Sequence, residues 1–110
     1  MSVDWDAFLN KKIAVVCRSS EECEDFLRQA CAKHIGMQPY WNSDFAGTAR
    51  KHWWRVGNDG KKWSDGIVYA FATDNHIGYC WAKWWLDKGY HLVYFSDQKI
   101  FSIDTLDDLV

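Results

Sequence analysis

Ile13-Ala14-Val15-Val16-Cys17-Arg18-Ser19-Ser20-Glu21-Glu22 joins two kinds of local structure at one sharp boundary. The first five residues are a short continuous apolar run, the pattern of a strand buried on both faces. Ser19 and Glu22 have the S-x-x-E spacing of a helix-opening capping box. A helix is expected from about residue 20 to about residue 34. Cys23, Phe26, Leu27, Ala30, Cys31 and His34 recur at three- and four-residue spacing and mark its buried stripe. Acidic residues fill its first turn, Lys33 and His34 its last, as the helix dipole favours. Gly36 is the expected stop. A buried strand running directly into an amphipathic helix calls for a sheet with helices laid against it.

Outward from this unit, Asp4 to Asn10 reads as a short opening helix with Trp5, Phe8 and Leu9 on one side. Pro39 to Asp44 reads as a turn carrying Tyr40 and Trp41. Arg50 to Val56 reads as a strand and Gly57-Asn58-Asp59-Gly60 as a tight turn, with Lys61-Lys62-Trp63-Ser64 opening the partner arm. Ile67 to Ala72 is a strand, and Ile77 to Cys80 a shorter one. Trp81 to Lys88 reads as a helix closed by Gly89, and His91 to Phe95 as another strand. Ile100 to Ile103 and Thr105 to Leu109 read as a short extended segment and a terminal helical turn. No repeat or linker interrupts the 110 residues. The expectation is a single α+β domain, residues 1–110, with a mixed or antiparallel β-sheet and two main helices packed on it.

Composition narrows the function classes. The net charge of −2 is unlike the basic balance of a duplex-DNA binder. No apolar run reaches the length of a membrane span. Met1 to Asp6 has neither the basic nor the apolar region of a signal peptide, so the cytoplasm is the expected compartment. Cys17, Cys23, Cys31 and Cys80 include no CxxC pair, which points to thiols used as small core residues rather than a zinc site. His34, His52, His76 and His91 show no metal-binding spacing, and there is no GxSxG or phosphate loop. No catalytic residue, metal or cofactor is expected.

Eight Trp with five Tyr and six Phe make the chain 17% aromatic, more than one small core is expected to hold. The most informative cluster is Arg50-Lys51-His52-Trp53-Trp54-Arg55. On a strand, Lys51, Trp53 and Arg55 share one face, and His52, Trp54 and Val56 the other. The first face offers an aromatic plane between two cations, the chemistry that stacks a nucleotide base and holds its phosphate. Between Arg50 and Lys62 lie five Lys/Arg and one acidic residue; elsewhere there are eight against fourteen. The candidate ligand-binding set is Trp53, Arg55, Lys51 and Arg50, joined by Trp63, Trp41 and Arg18, the last beside a helix N-terminus. The plain alternative is a hairpin whose cations only solvate the surface. Trp81, Trp84 and Trp85 read as a core stripe of their helix, with an interface or ligand wall as the other use.

Trp5 to Val15 with Ser20 to Leu27, and Trp85 to Asp97, resemble the opening and closing parts of small proteins encoded by phages and prophages of Gram-positive bacteria. Residues 37–66 depart from them, so no site residue is carried over. The resemblance implies a counter-defence protein in the host bacterial cytoplasm. One such class comprises sponges that bind cyclic nucleotide or ADP-ribose signals of Thoeris and CBASS immunity; another comprises anti-CRISPR proteins. The expected function is therefore a homo-oligomeric, non-enzymatic protein that sequesters a nucleotide-derived immune signal. The alternative is an inhibitor that docks on a host defence protein through an aromatic patch.

Overall fold

The apolar run Ile13–Cys17 forms strand β1, and four of its five residues are buried. The structure, a computed structural model, describes residues 3–57, 66–72 and 75–96. In it β1 pairs antiparallel with β2 (Ile67–Phe71) and parallel with β4 (His91–Tyr94). Strand β3 (Ile77–Cys80) adds antiparallel to the outer side of β2. The sheet is mixed, in the order β3-β2-β1-β4.

Alternation along the strands gives this sheet two apolar faces. Val15, Cys17, Ile67, Tyr69, Ile77 and Val93 point to one side, where Phe8, Cys23, Phe26, Leu27 and Ala30 cover them. Those residues belong to α1 (Trp5–Leu9) and α2 (Ser20–Ala32). Ala14, Val16, Val68, Ala70 and Leu92 point to the other side and are covered by α4 (Ala82–Asp87) through Ala82 and Trp85. Both faces being covered explains why β1 carries no polar residue. The Trp85 indole Nε1–H also donates to the Val68 carbonyl at 3.0 Å, which ties α4 to β2. Gly89, at φ +92°, supplies the left-handed step after α4 that a residue with Cβ resists. No helix among the described residues is long and apolar enough to cross a membrane.

The α2 cap forms as the spacing predicts, with one difference. Ser19 Oγ accepts from the Glu22 N–H at 3.1 Å, but the Glu22 carboxylate reaches the backbone N–H of Arg18 rather than that of Ser19. The helix stops at Ala32, earlier than expected. His34 takes the left-handed conformation, at φ 60°, and the Ile35 N–H closes back on the Ala30 carbonyl. His34 is therefore exposed rather than part of the stripe, and Cys31 is only half-buried. Gly36 is not the stop; its carbonyl accepts from the Ile77 N–H and tethers the following chain to β3.

The largest correction falls on residues 45–56. The expected strand over Arg50–Val56 is instead the end of a helix, α3 (Phe45–His52), continued by a wide π turn, Trp53–Gly57. Asp44 starts it, its carboxylate accepting from the Gly47 N–H at 3.0 Å. Arg50, Lys51 and His52 fill the last turn, where the helix dipole favours cations. Buried Ala49 and His52, with Phe45 and Trp53, form the inner stripe at helical spacing. The alternating-face argument therefore fails at two residues. Trp53 packs against the core, and Trp54 stands 68% exposed. The partner arm Lys61–Ser64, the greater part of the expected tight turn, and the segments 100–103 and 105–109 lie outside the described residues.

Candidate functional site

The local sequence that builds α3 also builds a cleft. Pro39 and Tyr40 lead into a single 3-10 turn, Trp41–Ser43, from which Asp44 opens α3. Thr48, Lys51, His52 and Arg55 then recur at three- and four-residue spacing along the face of α3 and the π turn. A cavity of about 220 Å³ lies between that face, the 3-10 turn and Tyr79 of β3. It is lined by Pro39, Tyr40, Trp41, Thr48, Lys51, His52, Arg55 and Tyr79. A second hollow of about 320 Å³ shares Tyr40, Thr48 and Lys51 with it. The larger hollow alone reaches the lower end of the ~300–1,000 Å³ range of small-ligand sites.

The walls are aromatic. The His52 ring stacks on Tyr79 with centroids 3.8 Å apart, and Trp41 meets His52 edge-on at 4.5 Å. Tyr79 is placed there by register, since β3 sets it opposite Tyr69 of β2. At the rim, Tyr40 is 83% exposed and held at φ 79°. A bulky residue in the left-handed region costs on the order of 1 kcal/mol, and such strain concentrates at functional sites. Its ring buries almost nothing in return.

Two cations complete the cleft. The Arg55 guanidinium donates to the Tyr79 hydroxyl at 3.2 Å, which fixes its position over the aromatic wall. Lys51, one turn earlier, is exposed and makes no ion pair with any described residue. Beneath them His52 is 2% exposed, with Nδ1 2.7 Å from the Tyr69 hydroxyl. Burial first, then the charges of Arg55 and Lys51, pull its pKa down to about 4. The imidazole is therefore neutral at neutral pH. Burial pushes the Tyr69 hydroxyl well above its ordinary range, so it keeps its proton.

Of the residues proposed from sequence, Lys51, Arg55 and Trp41 meet in this cleft. Arg50 is exposed on α3 but does not line it, and Trp53 turns inward. Arg18 lies at the end of β1, over the Tyr94 ring at 4.2 Å, and donates to Ser96 Oγ. Trp63 lies outside the described residues. Sequence reasoning did not select Tyr40, Thr48, His52 or Tyr79. The turn at Pro39–Asp44 was legible as carrying two aromatics, and the helical spacing of Thr48, Lys51, His52 and Arg55 was the signal for the others. Among the described residues no group of His, Cys, Asp and Glu side chains is arranged to hold a metal ion. No protein-family model, no curated protein and no solved structure matches the chain.

Proposed function

We propose that the protein binds a small nucleotide-derived anion in the cleft between α3, the 3-10 turn and β3, and sequesters it without cleaving it. The observation that carries this reading is the pairing of Lys51 and Arg55, one helical turn apart, with the rings of Trp41, Tyr79 and Tyr40 around one cavity. Aromatic rings stack a base for roughly 1–3 kcal/mol, and charge-assisted hydrogen bonds hold phosphate oxygens. A ring-plus-anion ligand uses both; a neutral sugar leaves the two cations unpaired. Sequestration rather than turnover is favoured because, among the described residues, the carboxylate at the two hollows is that of Asp44, already engaged as the cap of α3, and the imidazole there is buried and bonded through Nδ1. In this reading the ligand is an immune-signalling nucleotide, captured in the host bacterial cytoplasm. The cleft opens to solvent, and a second copy of the chain closing it is the proposed homo-oligomer.

Calorimetric titration against nucleoside monophosphates, cyclic dinucleotides and ADP-ribose tests the proposal. Saturable binding that weakens with salt, with the ligand recovered intact after heating, supports it. Ligand returned cleaved makes the protein an enzyme, and silence across the panel removes the reading.

A second reading has its own observation. Trp54 is 68% exposed and Trp84 48% exposed, and neither lines the cleft. Exposed Trp anchors protein interfaces as readily as it stacks bases. A stoichiometric host protein retained by the wild type and lost from Trp54→Ala or Trp84→Ala favours a docking inhibitor.

A further inference from the structure

The cleft has one polar group that neither its cations nor its aromatic walls account for. His52 is almost wholly buried and bonds through Nδ1 alone. None of the described residues gives its other nitrogen, Nε2, a partner. Yet no buried polar side-chain atom among them is left unsatisfied, so the small exposed part of His52 includes Nε2. His52 lines the cavity, and Nε2 is its one ring nitrogen open to a group bound there.

Which nitrogen carries the proton follows from the partner at Nδ1. The Tyr69 hydroxyl holds its proton, and the other groups that act on it most are the thiols of Cys23 and Cys17, weak acceptors. With its O–H donating to Nδ1, the best acceptor in reach, the imidazole proton lies on Nε2. The ring cannot swing away, because Tyr79 is stacked on it and Trp41 abuts its edge.

We propose that His52 is a specificity-determining residue of this site: its Nε2–H, fixed by the Tyr69 hydroxyl, donates a hydrogen bond to an acceptor on the ligand's ring system while Lys51 and Arg55 hold the anionic group. The inference rests on the nucleotide reading of the cleft and names which part of the ligand each residue reads. The donor sits among the aromatic walls, where a stacked base would lie. An uncharged N–H there suits a ring nitrogen or carbonyl oxygen. A ligand without such an acceptor would leave the buried donor unpaired, and sites of this kind reject such analogues strongly.

The test compares two probes, adenosine monophosphate and ribose 5-phosphate, on the wild type and on Tyr69→Phe, with the tautomer of His52 read from its two ¹⁵N resonances. The wild type is expected to show the Nε2–H tautomer and to prefer adenosine monophosphate. In Tyr69→Phe that preference falls about tenfold, as expected for one misaligned hydrogen bond, while ribose 5-phosphate binds as before. Should Tyr69→Phe fail to fold, His52→Gln and His52→Leu replace it: Gln retains an N–H donor and the preference, and Leu loses it. A wild-type imidazole protonated at Nδ1, or equal losses for both probes, overturns the assignment and leaves nucleotide binding standing. Binding of neither probe by the wild type overturns this assignment, and the nucleotide reading falls with it when the whole calorimetric panel is silent as well.

Discussion

Acid should destabilise this protein through His52, and the size of the effect follows from the site. In the folded chain the imidazole titrates near pH 4, against an ordinary value of 6.5. Between those two values the unfolded chain takes up a proton that the folded chain refuses. Stability attributed to His52 is therefore full above about pH 6.5 and is lost as pH falls through about 4. At 1.36 kcal/mol per unit, linkage gives a loss of about 2 kcal/mol at pH 5 and about 3 kcal/mol at pH 4, relative to pH 7. That is a large part of the 5–15 kcal/mol typical of a small domain. The assay is urea unfolding of the wild type and of His52→Gln at the three pH values. The groups that face His52, namely Lys51, Arg55 and the Tyr69 and Tyr79 hydroxyls, are common to both proteins, so the difference reads His52 alone. Wild-type stability should fall towards acid more steeply than that of the variant, by the amounts given. Parallel loss in the two proteins would refute the argument that burial and two cations hold this imidazole neutral.

The neighbouring tryptophans should behave in opposite ways. Trp53→Ala, which removes packing from the core, is expected to cost about 2 kcal/mol in denaturant unfolding, whereas Trp54→Ala stays within about 0.5 kcal/mol of wild type. Lys51→Ala and Arg55→Ala should each weaken nucleotide binding about tenfold in calorimetry, and Arg50→Ala and Arg18→Ala should leave it unchanged, because only the first pair lines the cleft. Gly66→Ala should abolish soluble, cooperatively folding protein on expression. Gly66 sits at φ +151°, and an added Cβ would collide with the Cys17 carbonyl at the end of the central strand.

How much was legible in the sequence depends on which period the argument used. The Ile13–Cys17 run and the Ser19 cap specify β1 and α2 through strong local chemistry, and both form. The strands read over Ile67 to Ala72, Ile77 to Cys80 and His91 to Phe95 form within one residue of those bounds, because their β-branched and aromatic residues fit a covered sheet. At Arg50–Val56 a short cluster fits both periods, and the capping carboxylate of Asp44, upstream of the cluster, decides for helix. That error still left part of the site intact. Lys51 and Arg55 are four apart, which is one face of a strand and also one turn of a helix, so they stay together under either reading. Trp53 is two from each, which keeps it with them on a strand and turns it away on a helix. Tyr79 and His52 were out of reach for a different reason. Their meeting depends on a strand register and a helix position contributed by distant parts of the chain, and no local pattern encodes it.

The central claim is that the cleft beside α3 holds the ring of an anionic ligand, and Trp41 is its built-in reporter. Its indole stands in the cavity wall, edge-on to His52, whereas Trp54 and Trp84 face solvent elsewhere. The measurement is a two-dimensional ¹H–¹⁵N spectrum of the tryptophan indoles, assigned by single Trp→Phe replacements and titrated with adenosine monophosphate. The account predicts a saturable shift of the Trp41 indole resonance, absent in Lys51→Ala at the same concentrations, with Trp54 and Trp84 unmoved. A Trp41 resonance that stays in place while the nucleotide binds, or while Trp54 or Trp84 shifts instead, would contradict it.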